Sequence, residues 1–156
     1  MKKSISSIIL SALSSLATAN ETSLFQEVVS ANEIISQAVV DKDYNAIQNA
    51  YTESSLLLGY NALPVSNGLG NVPVIGNFAI RLFFQAAQAA GAQSLDINTK
   101  RVTPLGDGAT ECGTSTTTYE WYVLGTQHTK EVTRDYHVEW ERGTDGKLRV
   151  AYDRIF

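Results

Sequence analysis

The chain is predicted to fold as α+β, with helices in its first half and an antiparallel sheet in its second. Three observations carry this. Residues 23–40 repeat apolar side chains at three- and four-residue spacing, the period of a helix with one buried face. From Ser94 onward apolar and polar residues alternate, and glycine-rich turns punctuate the run, the mark of antiparallel strands. The two patterns are segregated along the chain rather than interleaved, which separates this class from alternating βαβ folds. A length of 156 residues suits one domain.

The first residues read as a secretory signal. Lys2 and Lys3 form a positive start, Ile5 to Leu16 a short apolar stretch diluted by serines, and Ala17 to Ala19 a small-x-small cleavage site. Residues 1–19 are thus expected to be removed, leaving a single domain over 20–156 that is secreted or periplasmic. The apolar stretch is too short to span a bilayer, and no later run is long enough. The net charge of −4 becomes −6 once the two lysines are lost. That balance, with no basic patch, excludes nucleic acid as a partner, because phosphates demand clustered Lys and Arg. Cys112 is the single cysteine, so no internal disulfide forms, and it is expected as a small buried residue. Asn20 opens a glycosylation sequon with Thr22.

The elements follow in order. Leu24, Val28, Ala31, Ile35 and Ala38 make the buried stripe of the first helix, with Glu27, Asn32, Ser36 and Gln37 off it. Asp43 can cap a second, short helix carrying Ile47, Ala50 and Tyr51. Leu56 to Leu58 reads as a short buried strand. Gly59 to Gly76 is a long, fairly apolar loop, either a lid over a pocket or a segment packed on the sheet. Asn77 can cap a third helix over 78–90, buried through Ile80, Phe83, Phe84 and Ala87, and Gly91 is a natural stop. Strands are expected over 95–102, 109–123, 130–142 and 147–156.

Three stretches, taken together, are similar to known proteins. Asp43 to Leu58 gives an Asp, a short helix, a Tyr, a turn and an apolar strand. Gly76 to Ile80, with Phe83 and Phe84, gives a glycine, a helix start and an aromatic pair. Ala109 to Gly113 precedes a final hairpin that ends in a Gly-Lys turn and a hydrophobic strand holding Asp153. The order and spacing resemble the SnoaL-like, ketosteroid-isomerase-like families of the nuclear-transport-factor-like superfamily. The resemblance implies a cone-shaped fold: three N-terminal helices packed on a curved antiparallel sheet of about four long strands plus one short strand. It also implies an apolar pocket between the layers and a homodimer formed through the sheet. Isomerases of this kind abstract a proton with an acid placed just after the second helix. Here that position falls at Gly59, so the steroid-isomerase base is missing.

Strand alternation sorts the remaining candidates. Val132, Tyr136, Val138 and Trp140 share a face expected to meet the helices, while Asp135, His137, Glu139 and Glu141 face outward. On the last strand Leu148, Val150 and Tyr152 point inward, and Asp153 points outward with Arg149 and Ala151. Glu111 shares a face with Ala109, Gly113, Ser115 and Thr117. It either orients a ligand in room left by those small residues or is solvated opposite a buried Cys112 face. Tyr136, near the isomerases' oxyanion-stabilising position, either polarises a carbonyl or is a core residue. Glu111 and Tyr136 are the candidate catalytic residues, and Tyr51, Tyr60, Phe83, Glu111, Tyr136, Trp140 and Tyr152 are expected to line the pocket. His128 and His137 lack further ligands at metal-binding spacing, so neither metal nor cofactor is expected. The leading expectation is an exported domain binding a small apolar ligand. The alternatives are an acid–base enzyme of isomerase, cyclase or dehydratase type acting on a cyclic carbonyl compound, and a dimerisation scaffold with a filled pocket.

Overall fold

The computed structural model describes residues 6–59 and 73–156, with side chains from Thr22 onward. Among these residues, three helices pack on a six-stranded mixed sheet. In chain order the elements are α1 (Ser6–Asp41), α2 (Tyr44–Asn49), β1 (Tyr51–Leu58), β2 (Val74–Ile75), α3 (Asn77–Ala89), β3 (Ala92–Leu105), β4 (Gly108–Val123), β5 (Thr126–Arg142) and β6 (Leu148–Ile155). The sheet order is β2-β1-β6-β5-β4-β3. All pairs are antiparallel except β1 with β6, which run parallel. The α+β class holds. The sheet has six strands rather than five, and its parallel pair departs from the all-antiparallel expectation. The chain leaves β1 for β2 and α3 before returning through β3, so the final strand docks beside the first.

α1 ends at Asp41, and Lys42, the residue after it, has a left-handed backbone (φ 58°). Asp43 then caps α2 as expected: its Oδ1 accepts from the amides of Asn45 at 3.1 Å and Ala46 at 3.0 Å. Tyr51 belongs to β1 and not to α2. Asn77 lies in the first turn of α3, and the N-cap position is Gly76, which makes no side-chain cap bond. Val74 and Ile75, assigned to the long loop from sequence, form β2 against Leu57 and Leu56. The remainder of that loop, with Tyr60, lies outside the described residues.

The core sits between the helices and one sheet face. α1 contributes Val28, Ile35, Ala38 and Val39, α3 contributes Ile80 and Phe84, and the sheet contributes Tyr136, Val138, Trp140 and Val150. Polar residues are buried with them, one of them on α1. Asn32, placed off the stripe from sequence, is 5% exposed, because it falls four residues after Val28 and three before Ile35 on the same helical face. Glu27 on α1 and Arg142 at the end of β5 make a two-pronged ion pair, at 2.5 and 2.8 Å, that ties helix to sheet. Cys112 is half-buried on the opposite sheet face rather than in the core.

Candidate functional site

Glu111 is the organising residue. β4 and β5 pair without a break in register from Ala109–Trp140 to Val123–Thr126, so alternation holds along both. Glu111 therefore points to the helices with Ala109, Gly113 and Ser115, and it is 1% exposed. Directly opposite it is Val138, flanked on the same face by Tyr136 and Trp140. Both flanking side chains reach diagonally to the carboxylate. The Tyr136 hydroxyl donates to Oε1 at 2.5 Å and Trp140 Nε1–H to Oε2 at 2.8 Å. Thr99 Oγ1 of β3 and Asn32 Nδ2 of α1 each donate to Oε1 at 2.7 Å. Four donors from three elements, α1, β3 and β5, converge on one carboxylate of β4. Burying a charge is tolerated when it is paired or hydrogen-bonded in this way.

Gly113 makes room for the arrangement. A Cβ there would lie 2.7 Å from the Tyr136 hydroxyl and 2.2 Å from the Asn98 carbonyl oxygen. Burial and the adjacent Glu111 charge push the Tyr136 phenol well above its ordinary range, so it remains a donor at any physiological pH.

Beside this network lies a cavity of about 40 Å³, partly open to solvent. Ile35, Phe84, Leu95, Ile97, Val138 and Ile155 are among its apolar walls. Asn32, Tyr136 and Trp140, three of the donors to Glu111, form part of the wall, whereas Glu111 itself does not. Glu111 therefore fixes the side chains that face the cavity rather than facing it. A water-sized group needs roughly 10–15 Å³, so the space takes a slender group a few atoms long, not a ring system.

The carboxyl that does face the cavity is Asp153, assigned to the solvent side from sequence. It is 9% exposed. The reason is a β-bulge in β6. Trp140 pairs with Val150 but Glu139 pairs with Tyr152, leaving Ala151 as an extra residue. Beyond it the alternation inverts, so Asp153 and Ile155 face inward. The same bulge turns Tyr152 to the outer face, where its ring lies 6.4 Å from His137, so Tyr152 does not line the cavity. Glu111, Val138 and Asp153 fall in one row across β4, β5 and β6.

The Tyr51 hydroxyl of β1 donates to Asp153 Oδ2 at 3.2 Å, long for an O–H···O bond. Desolvation pushes the Asp153 carboxyl up to about 7, with the Glu111 charge adding to the rise and the Tyr51 bond opposing it. Among the described residues lining the cavity, Asp153 is thus the group poised to exchange a proton near neutrality.

Of the other candidates, Tyr51, Tyr136 and Trp140 line the cavity, and Phe84 replaces Phe83. Phe83 packs edge-on behind Phe84, with ring centroids 5.8 Å apart. At Gly59 the backbone is left-handed (φ +84°), and a Cβ would lie 1.9 Å from the Ile155 carbonyl oxygen. No side chain, and hence no base, fits there. His137 lies 3.8 Å from Glu139 on the outer face. Among the described residues no three His, Cys, Asp or Glu side chains converge as a metal site would require.

Comparison with solved structures supports the same architecture. The chain is similar to an NTF2-like protein with a cystatin-like fold from Novosphingobium aromaticivorans (TM-score 0.66, 16% identity, 90% of this chain and 85% of that one). It is similar to a ketosteroid isomerase-like protein from Erwinia carotovora atroseptica (TM-score 0.62, 14% identity, 83% and 92%). It is also similar to ActVI-ORFA from Streptomyces coelicolor (TM-score 0.65, 15% identity, 86% and 96%). At these identities the likeness is one of fold, and the chain has the NTF2-like, cystatin-like fold. No family model matches the chain, and no curated protein does.

Proposed function

We propose that this chain is an exported domain that binds a small, largely apolar molecule between α1, α3 and the sheet, with Asp153 and Tyr51 as its polar contact. One observation carries the reading: an ionisable carboxyl lies on the wall of a partly open apolar cavity, held among the described residues by a single long hydrogen bond. A structural carboxylate would be saturated, as Glu111 is. One left short of donors has capacity for a ligand. Native mass spectrometry of the protein purified from its source is expected to show a retained small molecule. A ligand-free chain would favour the scaffold reading instead.

Export rests on the signal pattern of residues 1–19, and sequencing of the mature N-terminus is expected to begin near Asn20. A second copy is proposed to associate through the sheet. The exposed apolar end of the β4–β5 hairpin, Tyr122, Val123 and Leu124, supports that association.

A second reading is favoured by the Asp153 carboxyl, whose value of about 7 suits general acid–base work at neutral pH. In that reading the chain is an isomerase-, cyclase- or dehydratase-type enzyme that takes a slender carbonyl-bearing arm of its substrate into the cavity of about 40 Å³, too small for the ring of a cyclic carbonyl compound, with Asp153 as the proton carrier instead of the residue at Gly59. Deuterium exchange α to the carbonyl of 2-pentanone, followed by NMR, would be accelerated by the wild type and not by Asp153→Asn. Equal rates would remove this reading.

A further inference from the structure

The cavity holds an imbalance of charge that its own residues leave uncorrected. Glu111 and Asp153 stand in one row two strands apart, roughly 10 Å between backbones at normal strand spacing. No Lys, Arg or His side chain lines the cavity among the described residues. The groups facing Asp153 can be named element by element: Tyr51 from β1, Tyr136 from β5, the Glu111 charge from β4, and the uncharged Asn32 and Ile35 of α1, Phe84 of α3 and Leu95 and Ile97 of β3. His137 and Arg154, neighbours of Asp153 in the sheet, belong to its opposite face, and the Arg154 guanidinium lies over the Phe156 ring, 4.8 Å from its centroid. Glu111 is satisfied by four donors. Asp153 receives one among the described residues.

From this we infer the class of ligand: a slender primary alkylamine whose ammonium group pairs with the Asp153 carboxylate. The inference rests on the binding reading above and narrows it. An ammonium supplies both the donors and the positive charge that Asp153 lacks. The rings of Tyr51, Phe84, Tyr136 and Trp140 surround the same space, and aromatic faces attract a desolvated cation. The volume of about 40 Å³ admits an ammonium head and a methylene or two. The rest of an alkyl chain would follow the apolar walls to the opening. Binding to the protonated acid must release its proton to solvent, because only the carboxylate forms the ion pair. No covalent step is involved.

The test is isothermal titration of the full 156-residue chain with n-pentylammonium and, separately, 1-pentanol, in buffers of different ionisation enthalpy. Asp153 is charged in only a small fraction of molecules at pH 5.5 and in nearly all at pH 8.5. Pentylammonium affinity is therefore expected to rise about thirty-fold across that range, with close to one proton released per amine at the acid end and almost none at the alkaline end. In Asp153→Asn the amine is expected to bind at least ten-fold more weakly, while pentanol, which needs no charge, still binds. Pentanol binding without the amine would overturn the inference and leave the binding reading standing. Amine binding with no proton release, or unchanged in Asp153→Asn, would do the same. If neither compound binds, the binding reading itself fails and the inference fails with it.

Discussion

Glu111→Gln and Glu111→Ala probe the network that shapes the cavity. The glutamine is nearly isosteric but carries an amide nitrogen in place of one oxygen. Three donors converge on Oε1 and one, Trp140, on Oε2. The best placement keeps the amide oxygen at the three-donor end, and the amide N–H₂ then faces the Trp140 N–H, so one bond is lost. The three that remain change from charge-assisted to neutral, each weakening by about 1 kcal/mol. Against these losses stands the relief of burying a neutral group rather than a charge, worth several kcal/mol in the other direction. The net expectation for the glutamine is a destabilisation of about 1–3 kcal/mol. The alanine leaves four donors without an acceptor, three of them on buried residues, at about 1–3 kcal/mol each, and adds a cavity. That total approaches the whole stability of an ordinary domain. Urea unfolding followed by Trp fluorescence measures both variants, with an unchanged slope showing that the two-state comparison is fair. A glutamine variant as stable as the wild type, or an alanine variant costing less than about 2 kcal/mol, would refute the view that this carboxylate holds the four elements together.

Three further outcomes follow from the same geometry. The folded-state value of Asp153 is raised to about 7 from 3.8, so the unfolded chain releases this proton first. Stability should then fall as pH rises from about 4 to 7 and level off above, by up to roughly 4 kcal/mol. Asp153→Asn should remove that slope and be the more stable protein at pH 8, as read from urea midpoints across the range. Gly113→Ala is expected to destabilise by several kcal/mol, since its Cβ meets the Asn98 backbone as well as the Tyr136 hydroxyl; near-wild-type stability would show that the strands shift freely. Tyr152→Ala, on the outer face, should leave ligand affinity within about two-fold, whereas Tyr51→Phe should lower it and move the Asp153 titration upward, measurable by carboxyl-carbon NMR.

The legible and the illegible parts of this chain separate along physical lines. Strands β4 and β5 pair with unbroken register, so simple alternation correctly turns Tyr136 and Trp140 inward; the face of Glu111, left open from sequence, is decided by its pairing with Val138. Strand β6 carries one extra residue at Ala151, and neither a Gly nor a Pro marks it. That single residue sends Asp153 into the cavity and Tyr152 out of it, the reverse of what alternation predicts. Asn32 was hidden for a different reason: a polar residue is placed off an apolar stripe by default, although its spacing from Val28 and Ile35 puts it on the stripe. The spacing was the usable signal, and a buried acid on a facing strand is what an inward Asn needs as partner. Phe83 and Phe84 are adjacent on α3, and only the helix rotation decides which ring meets the cavity. Segregated helices and strands were enough for the class, and the order of three weak motifs was enough for the cone. The parallel β1–β6 pair is a long-range contact with no local signature.

The most direct test of the account is a titration of isotope-labelled protein with 1-pentanol, 2-pentanone and n-pentylammonium at pH 8.5, followed by NMR. Saturable shifts are expected, confined to Asn32, Tyr51, Phe84, Ser115, Tyr136 and the Val150–Ile155 segment around Asp153. Absence of saturation for all three compounds, or shifts centred away from that cavity, would contradict it.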